Sequence, residues 1–338
     1  MNRISIMYLL AGDSLKASSR VRGYWIIEEL NKSKVKTKGI VAASKKGLIL
    51  SLFYMLFYHT IVFQKVYSKY HVILAKIAKR LGKKVIFDID DYPYRFDVSV
   101  RYTGFERMLS LSDHVLCGGE ELHKYVESLG FRNSELFRTP VKLSNYKRLN
   151  DVFENRSRVC IGWIGNGLHY EQDLVDILYE PLRILSSQYS FRLKIIGSMG
   201  SGIIQSTFER LNNVELVCVE YLDWSDNTLV SKELSTIDIG VYPLLKNNFN
   251  RFKCGFKALE YFAMKLPVIA SKNLSNSDIV SHGENGYLVT SKDEWILYLE
   301  KLINDGEGRI FMGENGYRRI CQDYATEVFA RNLLYLCD

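Results

Sequence analysis

Hydrophobic positions along this chain fall into short unbroken blocks separated by longer stretches with helical spacing. In the first half, the apolar runs over 4–10, 60–64, 83–87, 113–116 and 135–137 have the length of buried strands. Between them lie stretches of period near 3.6. One covers 19–30, with Trp25, Ile26 and Leu30 on a common face; others cover 48–57, 71–81, 105–111 and 120–129. Gly82 and Gly130 stop two of these helices. Strand and helix in alternation predict a parallel sheet covered on both faces.

The segment from 140 to 158 is polar, charged and loop-like, and the alternation then begins again. Strands are expected over 159–164, 191–196, 214–219, 238–242, 268–270 and 287–289, and helices over 171–185, 229–234, 293–303 and 307–323. The reading is therefore α/β, with two Rossmann-like doubly wound domains facing a central cleft: 1–150, then 151–324. A closing helix over 325–338 carries Val328, Phe329, Leu333, Leu334 and Leu336 at helical spacing and is expected to pack back towards the first domain. Such sheets bind ligands at the carboxyl ends of their strands. Loops 12–19, 88–91, 165–167, 197–202 and 251–257 all lie at such ends.

The richest of these loops opens the stretch 251–270. Arg251, Lys253 and Lys257 surround Gly255, which lets the backbone turn into a helix carrying Glu260 before Pro267 stops it. A helix N-terminus preceded by cations attracts anions, because free N–H groups and the macrodipole act together, and a phosphate is the natural guest. A solvated basic loop before an ordinary helix fits the same residues. Gly165, Asn166 and Gly167 form a tight turn whose backbone N–H groups are candidate phosphate donors.

Composition narrows the partners. A length of 338 residues suits two cores, and 47 % hydrophobic with 25 % charged residues is a globular balance. The net charge of +7 favours anionic partners, but no nucleic-acid recognition motif accompanies it, which leaves phosphorylated small molecules or an anionic membrane surface. Six scattered cysteines without a CxxC pair read as reduced, and the N-terminal apolar run is too short for a secretory signal, so a cytoplasmic setting is expected. Residues 47–64 hold no formal charge; read as a helix and a strand, they are expected to touch the inner face of the membrane peripherally. Oligomeric state is not legible.

Two further clusters carry candidate chemistry. Asp88, Asp90 and Asp91 (DIDD) have the spacing of magnesium ligands or of helix caps. Arg20 and Arg22, beside Ser19, suit a bound phosphate or surface ion pairs. The histidines show no metal spacing.

These residues bear a likeness. The stretches IGWIGN (161–166), DIGVYPL (238–244), KCGFKALEYFAMKLPVIAS (253–271) and IVSHGENGYLV (279–289) resemble, in order, those of the family-4 retaining glycosyltransferases of GT-B architecture. The first half is similar more loosely, through 19–30 and 84–91. The resemblance implies transfer of a sugar, with retained configuration, from a UDP- or GDP-linked donor to a glycan or lipid-linked acceptor, in surface polysaccharide or glycoconjugate synthesis. It implies no metal and no separate cofactor, with the leaving phosphate itself taking the acceptor proton. Arg251, Lys253 and Lys257 would neutralise the leaving diphosphate. Gly165, Asn166, Gly167, Gly255 and Phe256 would line the nucleotide, and Glu260 would hold its ribose. Ser19, Arg20, Arg22, Asp90 and Asp91 would meet the acceptor. Family members usually carry a second glutamate eight positions before the one matched by Glu260, and Phe252 stands there; a sub-group with lysine three positions before that glutamate is similar, and Lys257 fits it. Phe252 also admits a non-catalytic GT-B subunit that binds an acceptor or partner enzyme.

Overall fold

A computed structural model describes residues 4–91, 103–147, 158–224 and 226–337. Part of the loop at 140–158 lies outside them. The chain divides into two units. One comprises Met1–Lys142, Arg251–Cys254 and Asp323–Asp338; the other comprises Leu143–Asn250 and Gly255–Gln322.

The first unit is built on six parallel strands: β1 (Ser5–Leu10), β2 (Lys36–Val41), β3 (Thr60–Gln64), β4 (Lys84–Ile89), β5 (His114–Cys117) and β6 (Ser134–Leu136), in the order β2-β1-β3-β4-β5-β6. Their central members are buried along their whole length because helices cover both faces. Met7, Leu9, Phe63 and Phe87 point into one apolar layer, and Ile6, Tyr8, Leu10 and Ile86 into the other. The closing helix Thr326–Cys337 packs on helix Trp25–Lys32, and its Phe329, Ala330 and Leu333 complete the second layer.

The second unit has six parallel strands of its own: β7 (Cys160–Ile164), β8 (Phe191–Ile196), β9 (Val214–Val219), β10 (Ile239–Tyr242), β11 (Val268–Ser271) and β12 (Gly286–Val289), in the order β12-β11-β10-β7-β8-β9. Winding reverses between β7 and β10. In a doubly wound sheet that junction leaves a crevice at the carboxyl ends of the two strands.

Several local expectations need correction. The helix expected over 19–30 is three pieces, with a wide π turn, Arg20–Tyr24, between Ala17–Ser19 and Trp25–Lys32. Within that turn a Cβ on Gly23 would sit 2.3 Å from Leu10 Cδ2, so only glycine lets it lie against β1. The 165–167 segment is not a free turn: Asn166 caps a helix, Gly167–Ser186, that starts earlier than expected. Strand β2 and the short helices Gly202–Phe208 and Leu274–Ile279 were not foreseen.

Candidate functional site

The β7/β10 junction is occupied by the side chain of Lys257. Gly255, with a left-handed φ of 67°, redirects the chain into helix Phe256–Ala263. That helix is fixed from inside by Tyr261, one turn beyond Lys257 and on the same face. Its ring lies where a Cβ on Gly240 of β10 would be, 2.5 Å away. Its hydroxyl accepts from Ile164 N–H at 3.1 Å and lies 3.2 Å from the carbonyl oxygens of Gly162 and Val241. Burial pushes the Tyr261 phenol well above its ordinary pKa, so it stays a neutral clasp between β7 and β10.

Held by that clasp, Lys257 is only 8 % exposed and has a box of rings around its Nζ: Tyr170 at 3.7 Å, Tyr242 at 4.8 Å and Trp163 at 5.4 Å. Their faces stabilise a cation that burial would otherwise penalise. Asp173, on the helix after β7, lies near enough that Lys257 draws its pKa down, although burial raises it overall. The Asp173 carboxylate accepts from Leu245 N–H at 2.7 Å and from Asn250 Nδ2 at 2.6 Å, which fixes the loop after β10. None of Trp163, Tyr170, Asp173 and Asn250 was singled out from the sequence. Their signal is three-dimensional: a lysine that must be buried needs aromatic faces and a carboxylate from other elements.

Loops after β7 and β8 cross beneath this lysine at closest approach. A Cβ on Gly165 would stand 2.6 Å from Lys257 Cε, one on Gly167 2.4 Å from Ser198 O, and one on Gly197 2.0 Å from Gly165 O. Close approach has a consequence for the expected phosphate donors. Gly165 N–H is spent on Ile196 O at 3.0 Å and Gly167 N–H on Gly197 O at 2.7 Å. The expectation that both point at a ligand is corrected: they tie the two loops together. Asn166 accepts from His169 N–H with its side chain at 3.3 Å, as an N-cap.

Glu260 lies one turn beyond Lys257, half-buried, and accepts from Tyr146 Oη at 3.1 Å. Phe256, half-buried, opens the helix, and a Cβ on Gly255 would meet Ile279 Cδ1 at 2.4 Å. Lys257, Glu260, Gly255, Phe256 and 165–167 thus belong to one unit. The remaining cations do not join them. Arg251 and Lys253 belong with the first unit, where Arg251 Nε donates to Glu121 Oε2 at 2.6 Å and Lys253 is half-buried. Phe252, between them, is 5 % exposed in the first unit's core and meets Tyr125 edge to face at 5.9 Å. Packing in that core accounts for an apolar residue at this position. The three cations are therefore not one cluster within a unit.

In the first unit, the acceptor residues foreseen at 19–22 are internal. Arg22 is fully buried; its Nε donates to both Asp88 oxygens at 3.0 and 3.1 Å, its Nη2 pairs with Asp88, and its Nη1 donates to Phe137 O at 2.8 Å. Fully buried among these partners, the guanidinium presents no surface to an acceptor phosphate, which corrects that assignment. Ser19, also fully buried, donates to Gln64 Oε1 at 3.1 Å, and Arg20 Nη1 donates to the Ser14 and Leu15 carbonyls at 3.1 and 3.2 Å. Lys65 Nζ stands 2.9 Å from both Asp90 and Asp91, so an ammonium occupies the place the DIDD spacing offered a metal. Asp90 is 6 % exposed and Asp91 is half-buried; the buried Nε2 of Gln64 has no hydrogen-bond partner among the described residues. In the second unit a separate groove of about 650 Å³ opens over β10–β12 between Leu244, Lys246, Lys272 and Ser291; Lys257 is not in its wall.

Comparison with known proteins bears on the same half of the chain. Residues 158–305 match the family model of the glycosyl transferases group 1. The capsular polysaccharide biosynthesis glycosyltransferase CapM of Staphylococcus aureus is 24 % identical over 212 residues, 60 % of this chain; the match spans half of CapM's length. Among solved structures, Anabaena HepE in complex with UDP and glucose superposes with a TM-score of 0.70 at 12 % identity, covering 99 % of both chains. Sucrose-phosphate synthase from Thermosynechococcus elongatus does so with 0.71 at 13 % identity, covering 99 % of this chain and 98 % of its own. Both units thus have the fold on which GT-B glycosyltransferases are built, and over residues 158–305 the chain resembles the glycosyl transferases group 1.

Proposed function

We propose that the protein is a retaining glycosyltransferase that moves a sugar from a UDP- or GDP-linked donor to a glycan or lipid-linked acceptor in surface polysaccharide synthesis. The observation that carries the reading is Lys257, a buried lysine boxed by aromatic rings at the β7/β10 junction, inside the region that matches the family model. Departure of a nucleoside diphosphate builds negative charge on phosphate, and a fixed cation in a water-poor site lowers that barrier without reorganising. In this reading Glu260, one turn away, accepts from the ribose hydroxyls and shares its carboxylate with Tyr146. Donor and sugar are carried entirely by the second unit's residues in this reading. Transfer needs no metal, and the leaving phosphate takes the acceptor proton. HepE, whose fold this chain shares, is described with UDP and glucose bound, and CapM acts in capsule synthesis; both support the choice of donor and pathway class.

Release of UDP or GDP from a panel of nucleotide sugars, with and without lipid-linked acceptors, tests the proposal, and NMR of the product reports the anomeric configuration. Neither nucleotide release nor binding across the panel overturns it. Lys257→Met keeps the volume inside the aromatic box and removes the charge. Turnover should fall by about 100- to 1,000-fold, the cost of losing one preorganised charge-stabilising group, while the melting temperature stays close to that of the unaltered protein.

A further inference from the structure

Helix Lys45–Met55 in the first unit is amphipathic in the wrong sense for a soluble protein. Only Gly47, Ser51 and Met55 of its residues are buried, and only Met55 of these is large and apolar. A Cβ on Gly47 would reach 2.0 Å from Val41 O, so the helix lies against β2 through its glycine. The outward stripe is large and apolar. Ile49 is 70 % exposed, Phe53 56 %, Leu56 55 % and Phe57 53 %, with Leu50 and Leu52 beside them; Tyr70 and Ile73 of helix Lys69–Arg80 extend the patch. Two adjacent helices and the turn after the first therefore present eight large apolar side chains to solvent, and such contiguous patches mark interaction surfaces.

Charge says what covers it. From Leu30 to Phe87 the chain has thirteen lysine and arginine residues and no aspartate or glutamate, although the net charge of the whole is only +7. Four of them, Lys45 and Lys46 on the helix itself and Lys36 and Lys38 on the strand β2 beneath it, lie beside the patch. Lys45 and Lys46 are exposed in the first helical turn, where the macrodipole disfavours positive charge, and that turn holds no acidic residue. Lys38 Nζ lies 3.9 Å from the centre of the Tyr54 ring and Lys36 Nζ 4.9 Å from that of Tyr58, on the edge strand β2.

We propose that this face docks on an anionic lipid bilayer, with Ile49, Leu52, Phe53, Leu56 and Phe57 entering the acyl boundary and the lysines meeting the headgroups. Apolar insertion combined with a cationic rim is the physics of interfacial helices. A two-fold contact with a second copy would bring two such cationic rims together. The helix lies on the membrane and does not cross it: eleven residues span about 16 Å of helix against a hydrocarbon core of about 30 Å. Among the described residues no helix is long and apolar enough to cross. Docking here stands independently of the proposed transferase activity, since none of these residues belongs to the Lys257 site.

The test is co-sedimentation of the full chain with vesicles of phosphatidylcholine alone and of phosphatidylcholine mixed with phosphatidylglycerol. Binding is expected only with the anionic lipid, and it should weaken as salt rises. Phe53→Ser with Phe57→Ser, and separately Lys45→Glu with Lys46→Glu, should each reduce it about tenfold or more; circular dichroism checks that these exposed substitutions leave the fold intact. Equal binding to both vesicle types, no binding to either, or binding indifferent to the phenylalanine pair overturns the proposal. So does sedimentation velocity showing a dimer that the phenylalanine pair dissolves, since the face would then belong to a second copy.

Discussion

Arg22 has no exposed surface, so when its partner is lost no water replaces it. It joins the π turn to β4 through Asp88, to the segment after β6 through the Phe137 carbonyl, and to the closing helix through the Phe329 ring, 5.1 Å below its guanidinium. Burial drives the Asp88 pKa up and Arg22 draws it back, so the pair is stable only while both members are present. Arg22→Met leaves a buried carboxylate unpaired and should cost about 3–5 kcal/mol in the unfolding free energy from denaturant titration. Adding Asp88→Leu to it should recover most of that loss. A double variant as unstable as the single one would mean that the carbonyl contact, not the ion pair, carries the stability. Arg22 also shows what a chain read in one dimension conceals. Its type and neighbours suited a phosphate contact, but its partner lies 66 positions away and its burial depends on strands that pair only in the folded sheet. Phe252 was hidden for the same reason: beside Lys253 and Lys257 in sequence, it is packed with Tyr125 in another core.

Among elements, helix Phe256–Ala263 and the segment from Pro267 into β11 were legible because glycine, periodicity and proline punctuate them in the chain itself. Strand β2 was not, since KTKGIV at the sheet edge alternates lysine with threonine and glycine and has little apolar signal. The clasp of that legible helix was also invisible. Tyr261→Phe removes the hydroxyl that receives Ile164 N–H, leaving a buried donor unpaired, and should cost about 1–3 kcal/mol of stability. If the clasp also aims Lys257, kcat for nucleotide release should fall in this variant while donor KM changes little; an unchanged kcat would make Tyr261 a packing residue only. A second element is sensitive to pH. At the start of helix Lys69–Arg80, His71 Nδ1 accepts from Ser68 N–H at 3.1 Å and Nε2 faces Ala42 O at 3.0 Å, which requires the neutral ring. Burial lowers its pKa below the ordinary value of 6.5. Between the two values the unfolded chain holds a proton that the folded chain does not, so stability rises with pH through this window and is lost as pH falls below 6.5. Gln at this position can accept and donate without titrating. The unfolding midpoint of the unaltered protein should therefore drop more between pH 7.5 and 5.5 than that of His71→Gln, and equal drops would remove His71 as the cause.

At the scale of the whole chain, the alternation of strand and helix was enough to read two doubly wound sheets, because each βαβ step is local in sequence. The closing helix was expected to pack back towards the first domain, but nothing in the alternation assigns Arg251–Cys254 to that core. The chain re-enters the first unit twice, at Arg251–Cys254 and again from Asp323 onward. The second return is the larger: Phe329 packs edge to face on Phe137 at 4.8 Å, and Leu333 is fully buried in the layer formed by Ile6, Tyr8, Leu10 and Ile26. Sixteen residues at the far end of the chain thus finish a core that the first residues begin, so the first unit's sheet depends on a helix made last. Phe329→Ala should cost about 3–5 kcal/mol, as expected for deleting a buried ring, and the loss should be confined to one unit. Hydrogen–deuterium exchange reads this directly. Peptides from β1, β3 and β4 should exchange faster in the variant, because their protection is set by the opening of the layer that Phe329 closes. Peptides from β7, β8 and β11 should keep the protection they have in the unaltered protein. Equal loss across both sets would mean that the two units open as one cooperative body, and that the closing helix supports the whole chain and not the first sheet alone.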